Sequence, residues 1–66
     1  MWVKICDELI NTEKALEIYK EDYSTEFADI YKIRIFFPHY NTTIDFDSET
    51  DRDIAFAKLA SYLVKN

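Results

Sequence analysis

The sequence predicts an α+β domain: an antiparallel four-stranded meander with one C-terminal helix packed on one face. Three observations carry this expectation. Tyr31–Phe37 alternates, with Tyr31, Ile33, Ile35 and Phe37 on one side and Lys32, Arg34 and Phe36 on the other, as in a half-buried strand. Thr42–Asp47 also alternates, setting Thr42, Ile44 and Phe46 against Thr43, Asp45 and Asp47, and the turn-forming residues Pro38–Asn41 lie between the two runs. After Ser48 the period becomes helical, since Phe56, Leu59, Ala60 and Leu63 recur at i, i+3, i+4 and i+7. Strands followed by a helix make a two-layer α+β pattern.

In chain order, Met1–Cys6 reads as a short strand with Val3 and Ile5 on one face and Trp2, Lys4 and Cys6 on the other; Asp7 and Glu8 end it. Leu9–Asp22 is open to two readings. Thr12 can cap a helix rich in Glu, Lys, Ala and Leu. Yet Leu16, Ile18 and Lys20 alternate with Glu17, Tyr19 and Glu21, which fits a helical turn over 11–14 followed by a strand. The strand is preferred because a lone hairpin with one helix is too little sheet for stability. Asp22–Asp29 reads as an irregular connection, with Tyr23 and Phe27 either folded over a core edge or offered to a partner.

Closing the Pro38–Asn41 loop pairs Phe37 with Thr42, Ile35 with Ile44 and Ile33 with Phe46. On the reverse face it pairs Phe36 with Thr43, Arg34 with Asp45 and Lys32 with Asp47. Apolar meets apolar and opposite charges meet, whereas a one-residue slip turns one strand inside out. In the helix, Ser48 is the N-cap, with Asp51 three residues on. Asp47, Glu49, Asp51 and Asp53 crowd the positive end of the macrodipole, and Lys65 lies at the other end. Ala55 and Tyr62 flank the apolar stripe. Ile54 falls with Lys58, Ser61 and Lys65 on the solvent side.

At 66 residues the chain makes one domain, 1–66. Ordering it costs on the order of 100 kcal/mol, at roughly 1.5 kcal/mol per residue, which so small a core barely offsets. Domains of this size lean on disulfides, metals or self-association. Cys6 is the one cysteine and His39 the one histidine, so neither an internal disulfide nor a histidine metal cluster is expected, and self-association is an open option. The net charge of −5 argues against direct nucleic-acid binding or an anionic membrane and suits a basic protein partner. Met1–Cys6 lacks the apolar core of a signal peptide, and no apolar run approaches the ~20 residues of a membrane span. A cytoplasmic location with Cys6 reduced is therefore expected.

Leu9–Glu13, Tyr31–Phe37 and Ile44–Phe56 together resemble a type of small bacterial and phage protein of unassigned function, with an Ile-Asn turn, a hairpin and an acidic-capped C-terminal helix. The resemblance implies that Leu16–Glu21 is a strand. It implies no activity and carries no functional residues. Pro38–Asn41 departs from the pattern, in which the hairpin often holds glycine.

No cofactor, metal or catalytic machinery is expected. Counted from Asp45 as a Ca²⁺ loop, the sixth and twelfth positions hold Thr50 and Phe56 where Gly and Glu are needed. Nothing local activates Cys6 or His39, and no Gly-rich phosphate cradle or nucleophile elbow is present. The expected function is a small acidic protein–protein interaction module, non-catalytic, binding a protein partner or itself through the open sheet face or an edge strand. Its contact residues are Trp2, Phe36, Lys32, Arg34 and Ile54, with Tyr19 beside them, because one helix covers only one sheet face. The alternative is an acidic inhibitor or nucleic-acid mimic, its phage origin drawn from the resemblance, that engages a basic protein through Asp45, Asp47, Glu49, Asp51 and Asp53.

Overall fold

The computed structural model describes residues 1–63. Five strands and a helix follow one another: β1 Trp2–Ile5, β2 Glu8–Asn11, β3 Glu17–Ser24, β4 Asp29–Phe36, β5 Asn41–Phe46 and α1 Glu49–Leu63. The class is α+β, but the single four-stranded meander is corrected: β1 and β2 form a two-stranded antiparallel sheet, and β3, β4 and β5 form a separate antiparallel sheet in that order.

The extra strand arises where the chain was expected to break. Cys6 and Asp7 form a two-residue turn between Ile5 and Glu8, with Cys6 at φ 54°. The chain then returns as β2, placing Ile10 opposite Val3 in the core. The short turn expected over 11–14 is present, with the Lys14 N–H donating to the Asn11 carbonyl at 3.1 Å. Thr12 caps no helix. Its backbone N–H and its hydroxyl both donate to the Met1 carbonyl, at 2.9 and 2.8 Å, and tie the two ends of the small hairpin.

The strand expected over Leu16–Glu21 forms and runs further, to Ser24. The irregular connection expected over Asp22–Asp29 is therefore mostly hairpin: Asp22 pairs with Tyr31, Tyr23 with Ile30, and Ser24 with Asp29. Only Thr25–Ala28 turn.

The β4–β5 loop has the expected four residues, but they are Phe37–Tyr40. Ile33 pairs with Ile44, Ile35 with Thr42, Tyr31 with Phe46, Lys32 with Asp45 and Arg34 with Thr43. The expected register is thus displaced by two residues. A two-residue shift leaves every side chain on its expected face, so burial fixes the parity while the turn decides between registers of equal parity. Here the Phe37 N–H donates to the Tyr40 carbonyl at 2.8 Å, and Pro38 and His39 take the tip.

Ser48 caps α1 as expected. Its hydroxyl accepts the Asp51 N–H at 3.3 Å and its carbonyl the Arg52 N–H at 3.0 Å. The inward stripe is rotated from the expected one: Arg52, Ala55 and Leu59 are buried, while Phe56, Ala60, Tyr62 and Leu63 are half-buried. Lys65 lies outside the described residues. One core joins all layers, with Val3, Ile5 and Ile10 from the small sheet, Ile33, Ile35, Phe37 and Ile44 from β4, its turn and β5, and Ala55 and Leu59 from the helix. No helix among the described residues is long and apolar enough to cross a membrane.

Candidate protein-interaction site

The outer face of the large sheet carries Glu17, Tyr19 and Glu21 from β3, Lys32, Arg34 and Phe36 from β4, and Asn41, Thr43 and Asp45 from β5. Lys32, Arg34 and Phe36 lie there as expected, but the face is self-paired. Arg34 Nε and Nη2 donate to the two Glu21 carboxylate oxygens at 2.8 and 3.3 Å, and its Nη1 donates to Asn41 Oδ1 at 3.1 Å. Arg34 was expected to meet Asp45; that carboxylate instead pairs with Lys32 at 3.3 Å. The hydrogen bond from Arg34 holds the Glu21 carboxyl below the usual range, against the opposing pull of burial. Tyr19 sets its ring edge-on to Phe36, centroids 5.5 Å apart. Its hydroxyl donates to the Glu17 carboxylate, which raises the phenol above its ordinary value. Phe36 is half-buried under these neighbours.

Trp2 is not on that face. It belongs to the small sheet, 64 % exposed, with Asn11 opposite and the Lys4–Leu9 pair next along the hairpin. It lines a cleft of about 290 Å³ between the β1–β2 hairpin and the β4–β5 turn, together with Leu9, Ile10, Lys14, Phe37 and Tyr40. Tyr40 stacks on Phe37, centroids 4.7 Å apart and planes 20° from parallel, so the buried Phe37 sets the position of an exposed ring. Trp2, Leu9 and Tyr40 are each more than 60 % exposed, and Met1 nearly so. Sequence reasoning singled out Trp2, but for the open face of the large sheet, and did not single out Leu9 or Tyr40. Leu9 looked like the start of a helix or strand of unknown facing, and Tyr40 like a turn residue. Ile54 is exposed on the solvent side of α1, as its position predicts.

The five carboxylates do not form one row. Asp45 is engaged by Lys32 on the outer sheet face. Asp53 lies on the inner side of the helix, where Arg52 Nε meets it at 2.8 Å and Lys20 at 3.5 Å, and chiefly the Arg52 hydrogen bond lowers its carboxyl below the usual range. Asp47, Glu49 and Asp51 remain exposed about the start of α1. Arg52, itself buried, also reaches Asp22 at 2.6 Å and the Glu21 carbonyl at 3.3 Å, and its guanidinium lies 5.5 Å from the Tyr31 ring centre. Cys6 is exposed in its turn and His39 in its own. Among the described residues no group of three or more His, Cys, Asp or Glu side chains converges as a metal site would. Comparison with protein-family models, with characterised proteins and with solved structures gives no match.

Proposed function

We propose that the protein is a small acidic, non-catalytic protein-interaction module whose contact site is the cleft between the β1–β2 hairpin and the β4–β5 turn. The observation that carries this reading is the gathering of exposed Trp2, Leu9 and Tyr40 around one concavity. Clustered exposed aromatics mark contact surfaces, and Trp and Tyr supply a large share of binding energy at protein interfaces. The cleft is at the small end of ligand pockets, which run from about 300 to 1,000 Å³. It suits a side chain projecting from a partner better than a free metabolite. The outer sheet face, with its charges already paired, fits a flanking role. A lone exposed thiol at Cys6 fits a reducing compartment such as the cytoplasm.

The test uses the full chain as bait in extracts of its host, with Trp2→Ser and Phe36→Ser baits alongside and folding checked by circular dichroism. A partner kept by wild type and by Phe36→Ser but lost by Trp2→Ser supports the cleft. Loss with Phe36→Ser alone moves the contact to the sheet face. Equal retention by all three overturns both placements.

The second reading, an acidic inhibitor or nucleic-acid mimic, rests on exposed Asp47, Glu49 and Asp51 in a chain of net charge −5. It predicts binding to a basic protein that weakens with salt and with Asp47→Asn plus Asp51→Asn. Unchanged binding in that double variant removes it.

A further inference from the structure

The charges around the cleft narrow what can fill it. Lys20, Lys32, Arg34 and Arg52 are all held in ion pairs. Among the described residues, Lys4, Lys14 and Lys58 are the lysines outside any such pair. One of these three, Lys14, lines the cleft, and a second, Lys4, stands on the adjoining strand as the cross-strand neighbour of Leu9. Glu8 is the acidic residue in the lining. An acidic protein thus has a partly apolar concavity with one uncommitted lysine in its lining and a second on the adjoining strand, which favours an aromatic occupant whose flanking carboxylates reach those lysines.

The chain carries such a group at its other end. The β3–β4 hairpin ends in a turn with Glu26 and Phe27 at its tip, and Phe27 is 91 % exposed, the most of any large apolar side chain described. The turn is tightly made. The Thr25 N–H donates to the Ala28 carbonyl at 2.8 Å, and Thr25 Oγ1 accepts the N–H groups of Phe27 and Ala28 at 3.2 and 3.0 Å. Just below, Ser24 Oγ donates to Asp29 Oδ1 at 2.8 Å. Phe27 is therefore held out by a preorganised turn, which lowers the ordering cost of burying it in a partner. Glu26 and Asp29 flank it.

We infer that the Phe27 tip of one copy docks in the cleft of a second copy, its ring among Trp2, Leu9 and Tyr40 and its flanking carboxylates facing Lys4 and Lys14. This rests on the reading of the cleft as a protein-interaction site and names its occupant. Eight residues of β3 separate the two ends, about 26 Å at ~3.3 Å per residue, in a molecule 40 Å long. A copy therefore cannot fill its own cleft. Tip and cleft are different patches, and two copies lying antiparallel about a two-fold axis pair tip with cleft twice, which closes the dimer. So small a contact is weaker than a standard interface and is read at high protein concentration.

Sedimentation equilibrium on wild type, Phe27→Ser and Leu9→Asp tests the inference; both substituted positions are exposed, and circular dichroism verifies that each variant is folded. Wild-type mass rises with concentration, and each variant alone associates roughly tenfold or more weakly. An equimolar mixture of the two variants associates more than either variant alone and less than wild type, because a mixed pair has one intact tip facing one intact cleft where wild type has two. Lys14→Glu and added salt both weaken the wild-type assembly. A monomeric wild type, variants that assemble like wild type, or a folded mixture that associates no more than the separate variants overturns the inference. If wild type is monomeric yet the Trp2-dependent capture described above succeeds, self-docking fails and the interaction reading stands; if both fail, both fall.

Discussion

Cys6 holds the first position of the β1–β2 turn at φ 54°, where a Cβ crowds the following carbonyl at roughly 1–2 kcal/mol. Glycine is the residue this position favours, and the chain contains none. Cys6→Gly removes the crowding, while the looser unfolded chain takes back up to about 1 kcal/mol. The expected net gain is about 0.5–1 kcal/mol, read as a higher urea midpoint with an unchanged slope. Cys6→Val adds β-branching in the same conformation and lowers the midpoint. A midpoint that falls for Cys6→Gly means that the turn is not where strain is stored. This turn was illegible in the sequence because its signature, a Gly or Asn at positive φ, is missing, and Asp7 with Glu8 looked like a terminator. Ile54 was legible because it lies far enough from the apolar stripe that the small rotation of that stripe leaves it on the solvent side.

Among the elements, α1 and the β3–β4 hairpin are joined by polar contacts as well as by the core. Buried Arg52 occupies the first inward position of the helix and binds Asp22 from β3, Asp53 from its own helix and a β3 carbonyl. Arg52→Met keeps the aliphatic packing and removes these bonds. Asp22 and Asp53 are partly exposed and regain water, so the expected loss is on the order of 1–3 kcal/mol, the range for charged hydrogen bonds. Amide hydrogen exchange should speed up most in Asp22–Tyr31, the part of the hairpin that β5 does not cover fully. Uniform acceleration over the whole sheet means that Arg52 does not act locally. Finding β3 also needed the argument that a lone hairpin is too little sheet, whereas alternation was enough to find β4, β5 and their faces, because parity is set by burial. It was not enough for the β4–β5 register, since two registers of the same parity bury the same residues, nor for Arg34, whose acidic partner Glu21 lies on a strand left open by the sequence. The cleft was harder still: Leu9 and Tyr40 are 31 positions apart by their numbering, and no local pattern links them.

At the scale of the molecule, the two sheets share one core, although no ladder joins them. Ile10, on the strand that was not foreseen, is buried between them. Ile10→Ala should cost about 2–5 kcal/mol, a large part of the total of roughly 3–10 kcal/mol typical for this length. If the core is a single cooperative unit, Trp2 fluorescence on the small sheet and helical ellipticity from α1 lose their native values in one coincident transition. An earlier Trp2 transition shows the β1–β2 hairpin to be a separately melting unit.

Acid response follows from the same arrangement, with two effects of opposite sign. The carboxylates outnumber the cations, 13 to 8, so lowering the pH from neutral toward the isoelectric region near 4.6 relieves repulsion and raises stability modestly. Glu21 and Asp53 work the other way. Arg34 and Arg52 hold their folded-state values below the ordinary range near 4. Their contribution is thus fully present above that range and is lost as the pH falls through it toward the depressed values. Stability should peak near pH 5 and drop below about pH 4. Substituting both residues, Glu21→Gln with Asp53→Asn, should lower the melting temperature at pH 7 and flatten the decline between pH 4 and 2. A decline as steep in the double variant as in wild type assigns the acid lability to other carboxylates and leaves these two pairs without a share in it.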